Sequence, residues 1–167
     1  LTPLFGSLYD RIGKGATLMI IGSVMLIFVH TMFALPILNI WWFATIIMII
    51  LGFAFSLVPS AMWPSVPKII PENKLGTAYA LIFWIQNIGL WLFPLLIGKV
   101  LDNTNPQVVN DLNNHLITPE QAAVSYNYTW PLVMLACLGV AALIIGVILK
   151  RVDKVKGLGL ELPNVQQ

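Results

Sequence analysis

Charge is the scarcest feature of this sequence. Of the 167 residues, nine are basic and seven acidic, so 10% of the chain is charged, whereas a soluble domain carries about 25%. Residues 15–67, 75–98 and 121–149 contain no Asp, Glu, Lys or Arg at all. A single cysteine, Cys137, excludes a fold built on disulfide bonds. Together with 58% hydrophobic residues, these absences exclude a soluble globular domain and a disordered chain.

The sequence also lacks the patterns that catalysis, metal binding and nucleic-acid binding require. It has no H-E-x-x-H segment, no pair of aspartates inside an apolar stretch, and no Ser/His pair placed at a plausible depth. The net charge of +2 is small, and the basic residues are not interleaved with aromatic ones. We therefore expect no enzyme activity, no metal or cofactor, and no nucleic-acid partner.

The uncharged stretches predict an all-α membrane protein with four transmembrane helices, at about residues 16–35, 40–63, 75–101 and 130–149. A helix needs about 20 apolar residues to cross the hydrocarbon core of a lipid bilayer. Hydrocarbon offers no partner to backbone amides, so the crossing segments must be helices or a closed barrel, and the period-2 alternation of barrel strands is absent. Pro36 and Asn39 punctuate the connection between the first two helices.

The basic residues predict the orientation. Eight of the nine lie in the first, third and fifth of the segments that flank the helices, and only Lys99 lies in an even-numbered one. Because Lys and Arg accumulate on the cytoplasmic side, we expect the odd-numbered segments, including a cytoplasmic tail at residues 150–167, to face the cytoplasm. The eight residues are Arg11, Lys14, Lys68, Lys74, Lys150, Arg151, Lys154 and Lys156.

The predicted outer loop, residues 102–129, carries two local signals. Thr118-Pro119-Glu120 is a helix-start pattern and predicts a short helix that reaches about Ser125. Asn127-Tyr128-Thr129 is a glycosylation sequon that matters only in a eukaryotic protein, and such sequons are also common by chance. On the other side, the polar, glycine-containing tail from Asp153 onward is expected to fray.

Residues 1–15 are interpreted as the end of a preceding helix followed by a cytoplasmic loop. Gly6 allows two helices to approach closely, Asp10 and Arg11 lie at the membrane edge, and Gly13 permits a tight turn into the first predicted helix. An ordinary positive-inside loop remains the simpler interpretation of the residues alone. The segment, here called the inner motif, is Gly6-Ser7-Leu8-Tyr9-Asp10-Arg11-Ile12-Gly13-Lys14.

The inner motif resembles the G-x-x-x-D-R-x-G-R/K signature of the major facilitator superfamily, although Gly15 stands where a second basic residue is usual. In that family the signature lies between the second and third helices and again between the eighth and ninth. Four crossings follow it here, so the resemblance implies the last third of a twelve-helix carrier made of two six-helix halves. Residues 16–101 would then hold the ninth to eleventh helices and residues 130–149 the twelfth, with the remaining N-terminal part of the carrier as partner.

Two further segments resemble the lysosomal dipeptide-transporter branch of that superfamily and its prokaryotic relatives. They are Pro71-Glu72-Asn73-Lys74-Leu75-Gly76-Thr77-Ala78-Tyr79 and Gln86-Asn87-Ile88-Gly89-Leu90. The resemblance implies a secondary carrier or uniporter that moves a small solute, including dipeptides, by alternating access. It also implies a lysosomal membrane in a eukaryote or the inner membrane in a bacterium. The inner motif residues Gly6, Asp10, Arg11, Gly13 and Lys14 would act as a conformational latch.

Two helices carry candidate substrate-pathway residues. In the second helix Ser56, Ser60 and Trp63 share one face with Gly52, which suits either a cavity wall or a seam between helices. In the third helix four residues lie on one arc, and its two adjacent carboxamides need partners or water in mid-membrane. Aromatic rings and amides suit a peptide-like or amphipathic solute, while an interhelical hydrogen bond is the structural alternative. The four are Tyr79, Phe83, Gln86 and Asn87, and Leu90 lies on the same arc.

The sequence leaves a second function open. A four-helix accessory or assembly subunit of a membrane complex, without transport activity, has the same crossings and charge distribution. His30, near the outer end of the first predicted helix, is open to two interpretations, a proton relay or a hydrogen-bonded interfacial histidine.

Overall fold

The computed structural model describes residues 1–35 and 40–164. These residues form helices and connections, with no strand among them, and four of the helices are long and apolar enough to cross a membrane. The predicted all-α class with four membrane helices is therefore confirmed. Pro36 and Asn39 lie outside the described residues. The elements are α1 (Thr2–Ile12), α2 (Gly15–Ala34), α3 (Trp41–Ile69), a 3₁₀ turn (Glu72–Lys74), α4 (Leu75–Thr104), α5 (Pro106–Asn113), α6 (Pro119–Ser125) and α7 (Thr129–Lys156).

Two of the membrane helices run further than their apolar sequence. The helix predicted to end at 63 continues as α3 to Ile69, and the one predicted to end at 149 continues as α7 to Lys156. Charge and proline mark where a segment leaves the hydrocarbon, but they do not by themselves end the ladder of backbone hydrogen bonds. In α7 the ladder ends at Gly157, which has a left-handed φ of 63° and donates its N–H to the carbonyl of Asp153 at 2.8 Å.

Helix α2 lies between α3 and α7 and packs against both. A Cβ atom on Gly139 would come 2.8 Å from Cγ1 of Ile27, and one on Gly146 would come 3.1 Å from Cγ1 of Ile20. Glycine at these two positions therefore lets α7 approach α2 closely, as the small residues of this helix predict. A similar approach occurs on the other side of α2, where Gly22 faces Val58 of α3.

Helix α4 stands apart from this packed group. None of its residues is buried, whereas α2, α3 and α7 each bury several. Large apolar side chains such as Trp84 and Trp91 are 64% and 68% exposed. In a membrane-spanning chain this surface contacts lipid or further protein. Most of the surface of α4 is not covered by the other helices that the structure describes.

A small core joins α1, α2 and α3 at one end of the molecule. Tyr9, Leu18, Leu57 and Ala61 pack together there, with Phe5 and Met19 against them. Tyr9 is completely buried, and its hydroxyl oxygen lies 3.3 Å from Oγ of Ser65. The inner motif therefore has one of its own residues anchored in the core.

The described part of the C-terminal segment packs against the helices, which corrects the expectation that it frays from Asp153. Residues 165–167 lie outside the described residues. Residues 157–164, here called the C-terminal strap, turn back from α7 toward the start of α2. Leu160 is completely buried, and its N–H donates to Oδ1 of Asp153 at 2.9 Å. Of the residues in the strap only Glu161 and Asn164 are polar, and one buried leucine together with a set of long-range hydrogen bonds is enough to seat it.

The connection between α4 and α7, residues 105–128, is here called the outer connection after its predicted side, and it contains the short helix that its sequence predicts. In α6 the hydroxyl of Thr118 accepts from the N–H of Gln121, and the side chain of Gln121 accepts from the N–H of Thr118. Hydrogen bonds from the backbone at the start of α6 and from the Thr118 side chain lower the pKa of Glu120. Asn105 and Asn127 exchange two hydrogen bonds, at 2.7 and 3.1 Å, which tie the end of α4 to the start of α7.

Candidate functional site

Three of the predicted pathway residues come together where α3 meets α4. The Trp63 ring stacks on the Phe83 ring with centroids 4.9 Å apart and planes inclined by 28°. The Tyr79 ring lies 5.8 Å from the Trp63 ring. These three side chains are called the aromatic cluster. It brings residues of two helices together although α3 and α4 make little other contact.

Proline chemistry explains how the cluster is held. In a regular helix the carbonyl of Trp63 would accept from the N–H four residues later, but that residue is Pro67, which has no N–H. The Tyr79 hydroxyl of α4 donates to this freed carbonyl at 3.3 Å. Neighbouring side chains commonly satisfy backbone groups that a proline releases inside a membrane helix. Pro67 thus creates the acceptor that joins α4 to α3.

The two predicted serines of α3 lie outside the aromatic cluster. Ser60 is 5% exposed, and its hydroxyl donates to the carbonyl of Leu57 in its own helix at 2.8 Å. Ser56 is half-buried. Ser60 therefore already has a partner and little accessible surface in this structure, so the role of both serines in a pathway stays a prediction.

The two carboxamides of α4 have different surroundings. Asn87 donates from Nδ2 to the carbonyl of Phe83 at 2.8 Å, one turn earlier in the same helix. Gln86 is exposed and makes no hydrogen bond to the residues that the structure describes. It instead contributes the one polar side chain to the lining of a cavity of about 420 Å³ between α3, α4 and α7. The other lining residues are Phe55, Gly89, Leu90, Phe93, Pro94, Ile97, Leu135 and Leu138.

His30 is held within its own helix. Its Nδ1 lies 2.7 Å from the carbonyl oxygen of Leu26, one turn earlier in α2. The ring also borders a second cavity of about 260 Å³, whose other lining residues are apolar. A hydrogen-bonded position for this side chain agrees with the second of the two interpretations that the sequence allows.

The inner motif comprises the last part of α1, up to Ile12, and the turn of Gly13 and Lys14 that leads into α2. Gly13 has φ 66° and ψ −130°, a conformation open essentially to glycine. A Cβ atom here would collide with the backbone of Leu162 in the C-terminal strap. Lys14 is also left-handed, with φ 61°, and Arg11 is exposed. Gly6 has no neighbour within 4 Å of a Cβ position, so the close helix approach predicted there is not made by the described part of the chain.

The strap also holds the acidic residue of the motif. Asn164 donates from Nδ2 to Oδ1 of Asp10 at 2.8 Å, and its backbone N–H donates to the Asp10 carbonyl at 3.0 Å. Sequence reasoning missed the strap because these partners are 154 residues apart. The signals were a start of α2 without a capping side chain, and three leucines, Leu158, Leu160 and Leu162, in the tail that follows α7.

Comparison with known proteins places these features in one family. The Major Facilitator Superfamily model matches residues 1–161. The chain is similar to proteins named lysosomal dipeptide transporter MFSD1, with 40% identity over 103 residues in Mus musculus, 36% over 103 in Homo sapiens and 36% over 101 in Danio rerio. These matches cover 60–62% of this chain and 21% of each relative, so the chain spans about a fifth of their length. No solved structure matches it significantly. A family match over nearly the whole chain, on four membrane helices that follow the inner motif, establishes that this chain belongs to the major facilitator superfamily.

Proposed function

We propose that this chain is part of a carrier that moves a small peptide-like solute across a membrane by alternating access. The observation that carries the proposal is the aromatic cluster, because it places a stacked pair of rings and a tyrosine hydroxyl between two membrane helices. Membership of a transporter family and similarity to proteins named as dipeptide transporters support it.

The chemistry of the surfaces on α3 and α4 favours a peptide-like solute. A peptide presents flat amide groups, which pack on aromatic faces, and both donors and acceptors of hydrogen bonds. The ring of Phe83 is 51% exposed, so it offers such a face. Gln86 supplies a carboxamide with donors and an acceptor that no described residue uses. Few polar groups on a mainly apolar wall are typical of small-molecule sites.

The exposed surface of α4 supports the idea of a missing partner within the same carrier. An isolated helix in lipid has no need for an uncommitted glutamine, since polar groups in hydrocarbon are costly. We propose that the remaining N-terminal part of the carrier covers the face that carries Gln86 and Asn87. The solute would bind between that part and α4.

The inner motif would act as the latch of the conformational cycle. Charges at a membrane edge can pair in one state and separate in the other, which biases the equilibrium between the two. Asp10 and Arg11 are the candidates on this side, and they would latch one half of the carrier against the other. We propose that the motif lies on the cytoplasmic side, because of the distribution of basic residues. The similarity to proteins named as lysosomal transporters favours a lysosomal membrane if the protein is eukaryotic, and the inner membrane is the expectation if it is bacterial.

The test is uptake by the full-length carrier in proteoliposomes. We expect saturable uptake of some di- or tripeptides, and none of sugars or drugs, relative to protein-free liposomes. The same panel run on a Trp63→Ala variant links any uptake to the aromatic cluster. If the wild-type carrier, shown to be inserted, takes up no peptide, the proposal is wrong, and the alternative of an accessory subunit without transport activity gains support.

A further inference from the structure

The start of α2 lacks a capping group of its own. The first backbone N–H groups of a helix have no partner within the helix, and a Ser, Thr, Asp or Asn side chain at the N-cap usually accepts from one of them. The N-cap residue here is Lys14, which has no acceptor in its side chain. This helix start lies directly after the inner motif, so whatever satisfies its amides also determines where the motif lies.

The C-terminal strap supplies the missing acceptors. The carbonyl of Leu160 accepts from the N–H of Gly15 at 2.9 Å, and the carbonyl of Glu161 accepts from the N–H of Lys14 at 3.1 Å. The Glu161 carboxylate reaches two residues further along α2, still within its first turn. Its Oε1 accepts from the N–H of Thr17 at 3.0 Å, and its Oε2 accepts from the Thr17 hydroxyl at 2.7 Å.

The position of Glu161 is also electrostatically favourable. The N-terminus of a helix carries a partial positive charge, which stabilises a nearby carboxylate. The Thr17 hydroxyl that donates to Glu161 in turn accepts from Nζ of Lys150 at 2.6 Å, so α7 joins the same hydrogen-bonded group. Glu161 thus caps α2 from a position 144 residues away in the sequence.

The strap is itself anchored on several sides. Leu160 is completely buried and bonded to Asp153, which is 7% exposed. Nζ of Lys68, at the end of α3, donates to the carbonyl of Leu162 at 2.6 Å. The last described residue, Asn164, holds both the side chain and the backbone of Asp10. The strap therefore connects α1, α2, α3 and α7 at the end of the molecule where the inner motif lies.

We propose that the C-terminal strap positions the inner motif, with Glu161 as the positioning residue at the start of α2 and Asn164 as the one on Asp10. The inference rests on the proposed function, because it gives the strap a part in the conformational latch of the same carrier. Glu161 acts through the turn at residues 13–17 and not by contact with the solute. Loss of the Glu161 carboxylate removes the acceptors of the Thr17 N–H and hydroxyl, and so weakens the hold of the strap on the turn that follows Asp10 and Arg11.

The first test measures the hold of the strap on the motif without any transport assay. In the full-length carrier in nanodiscs, hydrogen exchange is followed at the amides of residues 14–17 for wild type, Glu161→Ala and Glu161→Gln. Loss of a helix cap predicts about fivefold faster exchange in Glu161→Ala, and a smaller effect in Glu161→Gln, which keeps one acceptor oxygen. Matched controls are Pro163→Ala within the strap and Glu72→Ala, an exposed acid outside it. Unchanged exchange in Glu161→Ala overturns the proposal.

The second test separates positioning from mere stability. A shift in the balance between inner-open and outer-open states changes the apparent KM at the two faces in opposite directions. We expect this pattern in Glu161→Ala, with partial return to wild-type values in Glu161→Gln. We also expect Asp10→Asn to add less than its own effect in the Glu161→Ala background, since both would act through one motif. A lower maximal rate with both KM values unchanged, or strictly additive effects, shows a purely structural cap and overturns the inference.

The results can separate failure of the proposed function from failure of the role given to the strap. If the wild-type carrier moves no solute in the panel, the proposed function is wrong, and with it the role of the strap in transport. The exchange measurement still reports whether Glu161 holds the motif. If the wild type transports and Glu161→Ala behaves like Glu72→Ala in both tests, the proposed function stands and the role of the strap is wrong.

Discussion

The indole ring of Trp63 stacks on the phenyl ring of Phe83, with centroids 4.9 Å apart and planes inclined by 28°. This pair joins α3 to α4, the membrane helix that buries none of its own residues. An aromatic pair of this kind contributes about 0.5–1.5 kcal/mol beyond the area it buries. Contact between these two helices therefore depends on few side chains, so substitution of a single one should have a measurable effect.

We expect Trp63→Ala to raise the KM for the transported solute by roughly two- to tenfold, because the stacked wall is lost. Trp63→Phe keeps an aromatic ring at this position, and its KM should stay close to that of the wild type. Initial uptake rates of the full-length carrier in proteoliposomes measure the change. The matched control is Trp91→Ala. Trp91 lies on another face of α4 and is 68% exposed. Equal effects at Trp63 and Trp91 would contradict a specific role for the cluster.

Single substitutions of Gln86 and Asn87 should change the KM by different amounts. Gln86 lines a cavity and lacks a partner among the described residues, whereas Asn87 is bonded to its own helix. Gln86→Leu removes one hydrogen bond to the solute, so we expect its KM to rise roughly two- to tenfold. Asn87→Leu should change the KM less. Gln107→Leu, the same chemical change in the outer connection, serves as control. Normal kinetics in the Gln86→Leu and Asn87→Leu double variant would make both amides structural.

The latch predicts that Asp10→Asn or Arg11→Gln slows transport without loss of membrane insertion. An effect of about fivefold or more on the rate is expected if the motif biases the two states by an energy typical of coupled sites. Uptake per inserted carrier measures it, with abundance in the membrane recorded in parallel. Ser7→Ala, an exposed neighbour on α1, is the control. Unchanged uptake in both variants would remove the latch from the mechanism.

Two glycines with positive φ should differ in their sensitivity to alanine. Gly13 combines a ψ of −130°, open essentially to glycine, with a close neighbour, whereas Gly157 has only the left-handed conformation. Gly157 and Gly13 have φ of 63° and 66°, but a Cβ atom on Gly157 meets nothing within 4 Å, whereas one on Gly13 collides with Leu162. The backbone strain of Gly157→Ala costs about 1–2 kcal/mol. Gly13→Ala carries the less accessible backbone conformation and the added collision, and should lower Tm further. Thermal unfolding of the full-length carrier in detergent measures both, and equal Tm values would mean that the strap does not press on the motif.

The orientation predicts which positions are labelled together. Nζ of Lys68 contacts the strap at Leu162, and Nζ of Lys150 contacts Thr17 at the start of α2, so both lysines lie at one end of the bundle. With Cys137→Ala as background, a membrane-impermeant maleimide should label Lys68→Cys and Lys150→Cys from the same side. Leu116→Cys in the outer connection, 70% exposed in the native residue, should react from the other side. Labelling of the two lysine positions from opposite faces would overturn the topology.

Much of the fold could be predicted from sequence because hydrocarbon restricts the choices. An uncharged stretch of sufficient length must be a helix when no water is present to satisfy its backbone. The short helix α6 was predictable for a different reason, since a capping box is complete within four residues. The exact ends of α3 and α7 were not predictable, because charge and proline mark a membrane boundary while the end of a helix depends on local backbone bonds.

The candidate site was predictable in part. One arc of α4 carries Tyr79, Phe83, Gln86 and Asn87, but the arc alone does not assign their partners. Tyr79 and Phe83 meet Trp63 because Pro67 leaves a carbonyl free and the two helices cross at that level. Adjacent amides, which look alike in sequence, differ because the carboxamide of Asn87 returns to its own helix.

By itself, the sequence determined the four crossings, the side on which the basic residues gather, and the inner motif, since each depends on residues close together in the chain and on the cost of charge in lipid. Only the tertiary structure decided that the polar tail is a seated strap, that Glu161 caps a helix that begins 146 residues earlier, and that Asn164 holds Asp10. Such contacts form when packing brings groups that are distant in the sequence within hydrogen-bond distance. A local pattern of residues does not predict which distant groups come together.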